Sequence, residues 1–273
     1  SEMNILNSNI FVIDPDIVTL NLIISAVSAA IIWNLITWWL GLPSSSSHTL
    51  VGGLVGAAIV SSGFNSVIYA GVIKIAVFIV VAPLLGMFMA FVISIIVLHI
   101  VKRHSPFVVD KHFRRLQLLS ASAFSLGHGG NDAHKSMGII WVALIATGYA
   151  TKDTPIHLWI VLSCHVAIAL GTLFGGWRIV KTMGQKITKL KPFEGFCAET
   201  AGALTLYGAT AFGIPVSTTH TITGSIIGVG ATKRASAVKW GVTTKIFWAW
   251  ILTIPVSALI GAAIFWFVRL ITG

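Results

Sequence analysis

Charge is scarce in this chain. Asp, Glu, Lys and Arg make up 10% of its 273 residues, where a soluble domain carries about 25%. So few charges cannot clothe a water-facing surface, which excludes a soluble globular domain. Acidic side chains are the scarcest, 8 against 18 Lys and Arg. There are 2 cysteines. Cys164 and Cys197 sit in apolar surroundings without metal-ligand spacing, so both read as buried small hydrophobes. Alternating polar residues in short segments are missing, which excludes a porin-type barrel. The start, SEMNILNSNIF, lacks the basic stretch of a signal peptide.

What is present is apolar length. Hydrophobic residues make up 56% of the chain, and mean hydropathy is +0.91. Runs 17–41, 64–101, 155–177 and 240–268 reach or exceed the roughly 20 residues that span a bilayer. Gly, Pro or Ser interrupts each run. This is the pattern of an all-α polytopic membrane protein.

The net charge of +10 does not imply nucleic acid, because no aromatic ladder accompanies it. The cations fall mainly at Lys102 to Arg115, Arg178 to Lys191 and Lys233 to Lys239, between apolar runs. They read as cytoplasmic loops under the positive-inside rule, in the inner (plasma) membrane with lipid as surroundings. Residues 116–150 are too long for one straight span and are expected to break at GHGGND. Pro215 is expected to mark a turn. The acidic start, with Glu2, Asp14 and Asp16, falls outside.

Two segments nearly repeat. Residues 40–57 read LGLPSSSSHTLVGGLVGA and residues 212–229 read FGIPVSTTHTITGSIIGV, with 7 of 18 positions identical at an offset of 172. Loop charge and segment parity give the two copies opposite orientation. The expected organisation is a first repeat over 1–101, a basic cytoplasmic loop over 102–115, and a second, inverted repeat over 116–273. Such repeats, with broken helices and half-helix turns, belong to secondary transporters.

Each copy joins a Pro to N-capping hydroxyls and then to small residues. Pro is favourable near a helix start, and Ser and Thr cap one. Gly224 and Gly228 are spaced for close helix packing. A helix N-terminus inside the membrane gathers free N–H groups and hydroxyl donors under a partial positive charge, which makes an anion site. Ser45, Ser46 and Ser47 form one such site, and Ser217, Thr218 and Thr219 the other. His48 and His220 close them, as braces or as proton relays.

The segment SLGHGGNDAHKSMG, residues 125–138, carries the most costly side chain. Gly127, Gly129 and Gly130 are expected to unwind the helix, with Asn131 and Asp132 starting a new one. An ionised Asp in a membrane costs at least about 2.5 kcal/mol, so Asp132 reads as functional. It can accept a hydrogen bond from a protonated oxyanion, ligate Na⁺ or carry H⁺. Hydrogen phosphate has a P–OH to donate and sulfate has none, so a carboxylate there favours phosphate. Lys135 can pair with Asp132, pair with substrate charge, or snorkel. Glu199 is a second intramembrane carboxylate with a coupling-ion role, whereas Glu194 reads as a surface residue. His128, Asp132 and His134 lack convincing metal-site spacing, so no metal centre is expected.

GHGGNDAHKSMG resembles the signature of the PiT inorganic phosphate transporter family. GIPVSTTH and GLPSSSSH are similar to its paired phosphate-binding turns, CAETAG to its Glu-bearing helix and GWRIVKTMGQKI to its central loop. The resemblance runs from about residue 17 to the end. It implies symport of inorganic phosphate with Na⁺ or H⁺ by alternating access, with no enzyme activity, catalytic residue or cofactor beyond the coupling ion. By motif match it puts phosphate on Asp132, Ser45 to Ser47 and Ser217 to Thr219, and ion coupling around Asn131, Asp132 and Glu199. A homodimer is left open.

Two departures stand out. The family carries an Asp-bearing signature in each repeat, and none precedes Pro43, so the first repeat reads as N-terminally incomplete. His134 and Lys135 replace Ala-Asn, which removes an amide oxygen and adds a cation, predicting a weakened Na⁺ requirement. A sulfate or metal-phosphate permease on the same scaffold is the near alternative. An intramembrane phosphatase is the distant one, disfavoured because an enzyme needs one nucleophile rather than two symmetric cradles.

Overall fold

The computed structural model describes residues 12–14, 17–151, 153–214 and 216–272. The turn expected at Pro215 and the acidic residues Glu2 and Asp16 lie outside them. Among the described residues no strand forms, and a single bridge pairs Ile13 with Val67. The chain is otherwise a succession of helices. These are α1 (Leu20–Leu40), α2 (Ser46–Ser62), α3 (Tyr69–Val101), α4 (Pro106–Ala146), α5 (Leu158–Gly175), α6 (Trp177–Lys181, continued by a π-turn over Thr182–Ile187), α7 (Pro192–Ala211), α8 (Thr218–Lys233) and α9 (Trp240–Thr272).

Local sequence sets the ends. Thr19 caps α1, its side chain accepting from the Leu22 N–H at 3.3 Å. Gly41 ends it at φ 68°, and Gly213, at the same place in the second copy, follows α7 at φ 62°. A left-handed residue there stops the helix, and glycine reaches it without a Cβ clash. Four helices, α1, α3, α5 and α9, are long and apolar enough to cross a membrane. By contrast α2, with 17 residues, and α8, with 16, rise only roughly 25 Å, less than the roughly 30 Å hydrocarbon layer. They are the half-helices of the two repeats.

The half-helices are exchanged in packing. α2 lies against α1 and α9, while α8 lies against α7 and α3. Close approach requires small residues. A Cβ on Gly56 would stand 1.9 Å from the Ala258 carbonyl oxygen, and one on Gly224 would stand 2.0 Å from that of Pro83. α3 and α9 each carry an internal proline, Pro83 and Pro255, again 172 apart. With no water to compete, such backbone-close packing is what holds membrane helices together.

Two expectations are corrected. The glycines 127, 129 and 130 do not unwind the chain, and Asn131 and Asp132 do not begin a helix: α4 runs unbroken for 41 residues. Glycine weakens a helix by about 1 kcal/mol each. An unwound turn in hydrocarbon leaves backbone groups unpaired at several kcal/mol apiece, so the closed helix wins. α4 is roughly 60 Å long, about twice the hydrocarbon layer, and its length absorbs the expected basic loop. Residues 102–115 are helical from Pro106 onward, and Asp110 pairs with Arg114 at 3.0 Å along the extension.

Glu194 is the second correction. It is buried, accepts the Lys191 N–H at 2.6 Å and forms an ion pair with Lys233. Lys233 belongs to the last turn of α8, so the carboxylate ties the start of α7 to the end of α8. Cys164 and Cys197 are buried and free.

Candidate functional site

The repeated tips have matching backbones. Ser45 caps α2 at φ −97°, ψ 115°, and Ser217 caps α8 at φ −85°, ψ 120°. Their hydroxyls accept the His48 N–H at 3.4 Å and the His220 N–H at 3.3 Å. Both serines are therefore buried caps. The tips touch through those histidines, whose ring centroids lie 4.8 Å apart, edge to face. His220 also stacks on Trp250 at 4.1 Å, and the Trp250 indole N–H donates to the Pro43 carbonyl at 2.9 Å.

Asp132 of α4 stands beside this junction. Its Oδ1 accepts from Lys135 Nζ at 3.0 Å. Its Oδ2 lies 3.0 Å from His128 Nε2 and accepts from Thr218 Oγ1 at 3.4 Å. Lys135 Nζ also donates to Ser47 Oγ at 2.7 Å. A chain of contacts thus runs from Thr218 of one tip through Asp132 and Lys135 to Ser47 of the other. It depends on α4 being continuous, because positions i−4 and i+3 share a face only in an intact helix. Of the three options open for Lys135, the pairing with Asp132 is the one adopted here.

Two cavities are lined by residues of the site. A large one, about 1050 Å³, is lined by Asn34, Pro43, Ser44, His128, Glu199, Thr218 and Thr219 among others. A small one, about 120 Å³, is lined by Ser47, His48, Lys135, Val216 and Ser217 with apolar neighbours. Lys135 and Ser47 face the small cavity, and His128 and Thr218 face the large one.

The remaining expected residues fall as follows. Thr218 is buried, Thr219 and Ser47 are half-buried, and Ser46 is exposed. Asn131 sits beside Asp132 with its Nδ2 buried and unpartnered. Glu199 accepts from Ser120 Oγ at 2.6 Å and lines the large cavity. No hydrogen bond among those described links it to Asp132. From the sequence His128 reads only as a candidate metal ligand; its spacing of four from Asp132 signals the contact once the helix is continuous. Trp250 carried no sequence signal, since its role follows from tertiary packing alone. Among the described residues no group of three or more His, Cys, Asp or Glu could hold a metal ion.

The site therefore combines hydroxyl donors, two helix N-termini, an ammonium and a carboxylate that can accept a proton or a P–OH. Comparison with known proteins agrees with that chemistry. The chain is 57% identical over 251 residues to a probable low-affinity inorganic phosphate transporter of Rhizobium meliloti, covering 92% of this chain and 75% of the relative. It is 43% identical over 249 residues to a probable low-affinity inorganic phosphate transporter of Bacillus subtilis, covering 91% and 75%. A solved structure, described as the sodium-dependent phosphate transporter, superposes with a TM-score of 0.82 at 26% identity, covering 98% of this chain and 84% of that one. The model of the phosphate transporter family matches residues 2–261, and with most of the chain so matched, this is a membrane protein that belongs to the phosphate transporter family.

Proposed function

We propose that the chain moves inorganic phosphate across the plasma membrane in symport with H⁺ or Na⁺, by alternating access, with its basic loops cytoplasmic. The observation that carries this reading is the contact chain from Thr218 through Asp132 and Lys135 to Ser47. It joins the two repeated tips at one point beside a carboxylate.

In this reading phosphate rests between the tips. Ser47, Thr218 and Thr219 donate hydroxyl hydrogen bonds to it. Ser45, Ser46 and Ser217 fix and extend the cradle, through the helix N-termini they begin. Asp132 accepts the P–OH, which sulfate cannot offer. A donor or acceptor left unmatched in a buried site is what gives strong discrimination. Asn131, Asp132 and Glu199 take up the coupling ion, the last two as carboxylates that bind H⁺ or Na⁺. A cavity of about 1050 Å³ lined by Thr218 and Thr219 and one of about 120 Å³ lined by Ser47 and Ser217 both reach the tips, which supports a substrate path to the cradle. His48 and His220 brace the junction.

The test is uptake of labelled phosphate by proteoliposomes carrying the purified chain, under imposed H⁺ or Na⁺ gradients, with sulfate as competitor. Gradient-driven uptake that sulfate does not inhibit is expected. Displacement by equal sulfate, or no uptake under either gradient, would overturn the assignment.

A further inference from the structure

We infer that Trp250 and Thr253 of α9 are positioning residues for phosphate, which hold the tip of α2 at the place and angle where Ser47 meets the substrate. The inference rests on the phosphate reading above and adds which residues outside the cradle set its shape.

The two residues before the cap of α2 are both bound to α9. The Trp250 indole N–H donates to the Pro43 carbonyl at 2.9 Å. One turn on, the Thr253 hydroxyl lies 2.9 Å from that of Ser44 and accepts the Trp33 indole N–H of α1 at 3.2 Å. Its own hydrogen goes to the Ala249 carbonyl at 2.6 Å. A hydroxyl has one hydrogen and two lone pairs, so Ser44 is the donor and Thr253 is fully occupied. Trp250 and Thr253 are buried. Ser257 continues their face of α9, and a Cβ on Gly52 of α2 would stand 2.0 Å from its Oγ. Pro43 and Ser44 lead directly into the cap Ser45, and Ser47 follows three residues after Ser44. Where α9 holds the first pair therefore decides where the α2 N-terminus and Ser47 point.

The second repeat does not copy these ties. At the offset of 172, Trp250 corresponds to Phe78, Thr253 to Val81 and Ser44 to Val216. Three side chains that hydrogen-bond are matched by three that cannot. Val216 sits instead in an apolar cluster with Ala82, Leu206 and Phe78. The glycine packing of the half-helices is common to both repeats, with Gly56 against Ala258 and Gly228 against Met87. The frame thus forms without polar anchors. Buried polar side chains are costly unless each is matched, so stability alone would be served by apolar contact in both copies. Trp250 also stacks on His220 at 4.1 Å. One side chain thereby touches both tips and sets their separation. A cradle held in its binding shape loses less order when the substrate arrives, which raises affinity.

The experiment measures phosphate uptake by proteoliposomes carrying the purified full chain, with KM and Vmax determined separately. Trp250→Phe keeps a ring against His220 and removes the bond to Pro43. Thr253→Val keeps the shape and removes the hydroxyl, and Ser44→Ala removes the same bond from the side of the tip. Each should raise KM by about three- to tenfold, the range for one or two hydrogen bonds. Vmax should stay at the wild-type value, as loss of uniform binding requires. Thr253→Ser should restore the wild-type KM, because it keeps the hydroxyl. Ser44→Ala combined with Thr253→Val should raise KM by less than the product of the two single effects, because both remove one bond. Either Trp250→Phe or Ser44→Ala with the wild-type KM overturns the inference, and so does a loss of Vmax with KM unchanged. Thr253→Ser with KM as high as that of Thr253→Val also overturns it. Where Thr253→Val does not fold, Ser44→Ala decides the same bond. A wild type that takes up no phosphate would instead remove the phosphate reading itself.

Discussion

The tip of α2 and the tip of α8 share a backbone but not a chemistry. Ser45 and Ser217 cap them with nearly the same dihedral angles, and each hydroxyl accepts from the histidine three residues on. Equivalent positions then diverge. Thr218 is buried and donates to a carboxylate, whereas its counterpart Ser46 is exposed. Ser47 receives an ammonium, whereas its counterpart Thr219 faces the large cavity. The difference comes from α4, one helix that offers Asp132 to one tip and Lys135 to the other. The repeat builds a symmetric frame, and a single unrepeated face within the described residues makes it polar.

The largest way to break the comparison is at that face. Asp132→Asn should lower phosphate uptake by roughly one to two orders of magnitude, the scale of losing a charge-assisted hydrogen bond, with helical circular dichroism unchanged. Normal uptake would show that the polarity between the tips is not functional. Next in size are the packing glycines. Gly56→Val and Gly228→Val, equivalent positions at the offset of 172, each drive a side chain into a backbone carbonyl and should cost about 1–3 kcal/mol or more. Melting temperatures should fall by similar amounts in the two variants, because the frame is symmetric; a large inequality would sink that symmetry.

Smaller effects sharpen the picture. Ser45→Ala and Ser217→Ala should each cost about 1 kcal/mol as lost N-caps, again nearly equally, read from thermal melts in detergent. Smallest are Gly129→Ala and Gly130→Ala. An added Cβ there meets nothing within 4 Å, so each should stabilise α4 by somewhat under about 1 kcal/mol. A drop in melting temperature would mean that α4 must open at those glycines.

Much of this arrangement could be read from residues alone. The apolar runs locate α1, α3, α5 and α9 to within a few positions, because length in hydrocarbon leaves little choice. The doubled Pro–hydroxyl–His turn locates both half-helix tips, because capping is a local matter. The continuity of α4 was not legible. Three glycines in 127–130 argue for a break by propensity, and the membrane overrides propensity by penalising unpaired backbone. The burial of Glu194 is not legible because Lys233, its ion-pair partner, is distant in sequence. Whether Lys135 met Asp132, substrate or the interface was open for the same reason. The continuity of the helix decides it by putting both side chains on one face.

The contact between His48 and His220 carries one more consequence. It is a place where a residue meets its own repeat copy, with Trp250 holding one ring and Pro43 of the other tip. Side chains in one contact network do not contribute independently. Substitutions at 48 and 220 should therefore be strongly epistatic: a change tolerated at one position will depend on what occupies the other, and the two sites will have to be altered together.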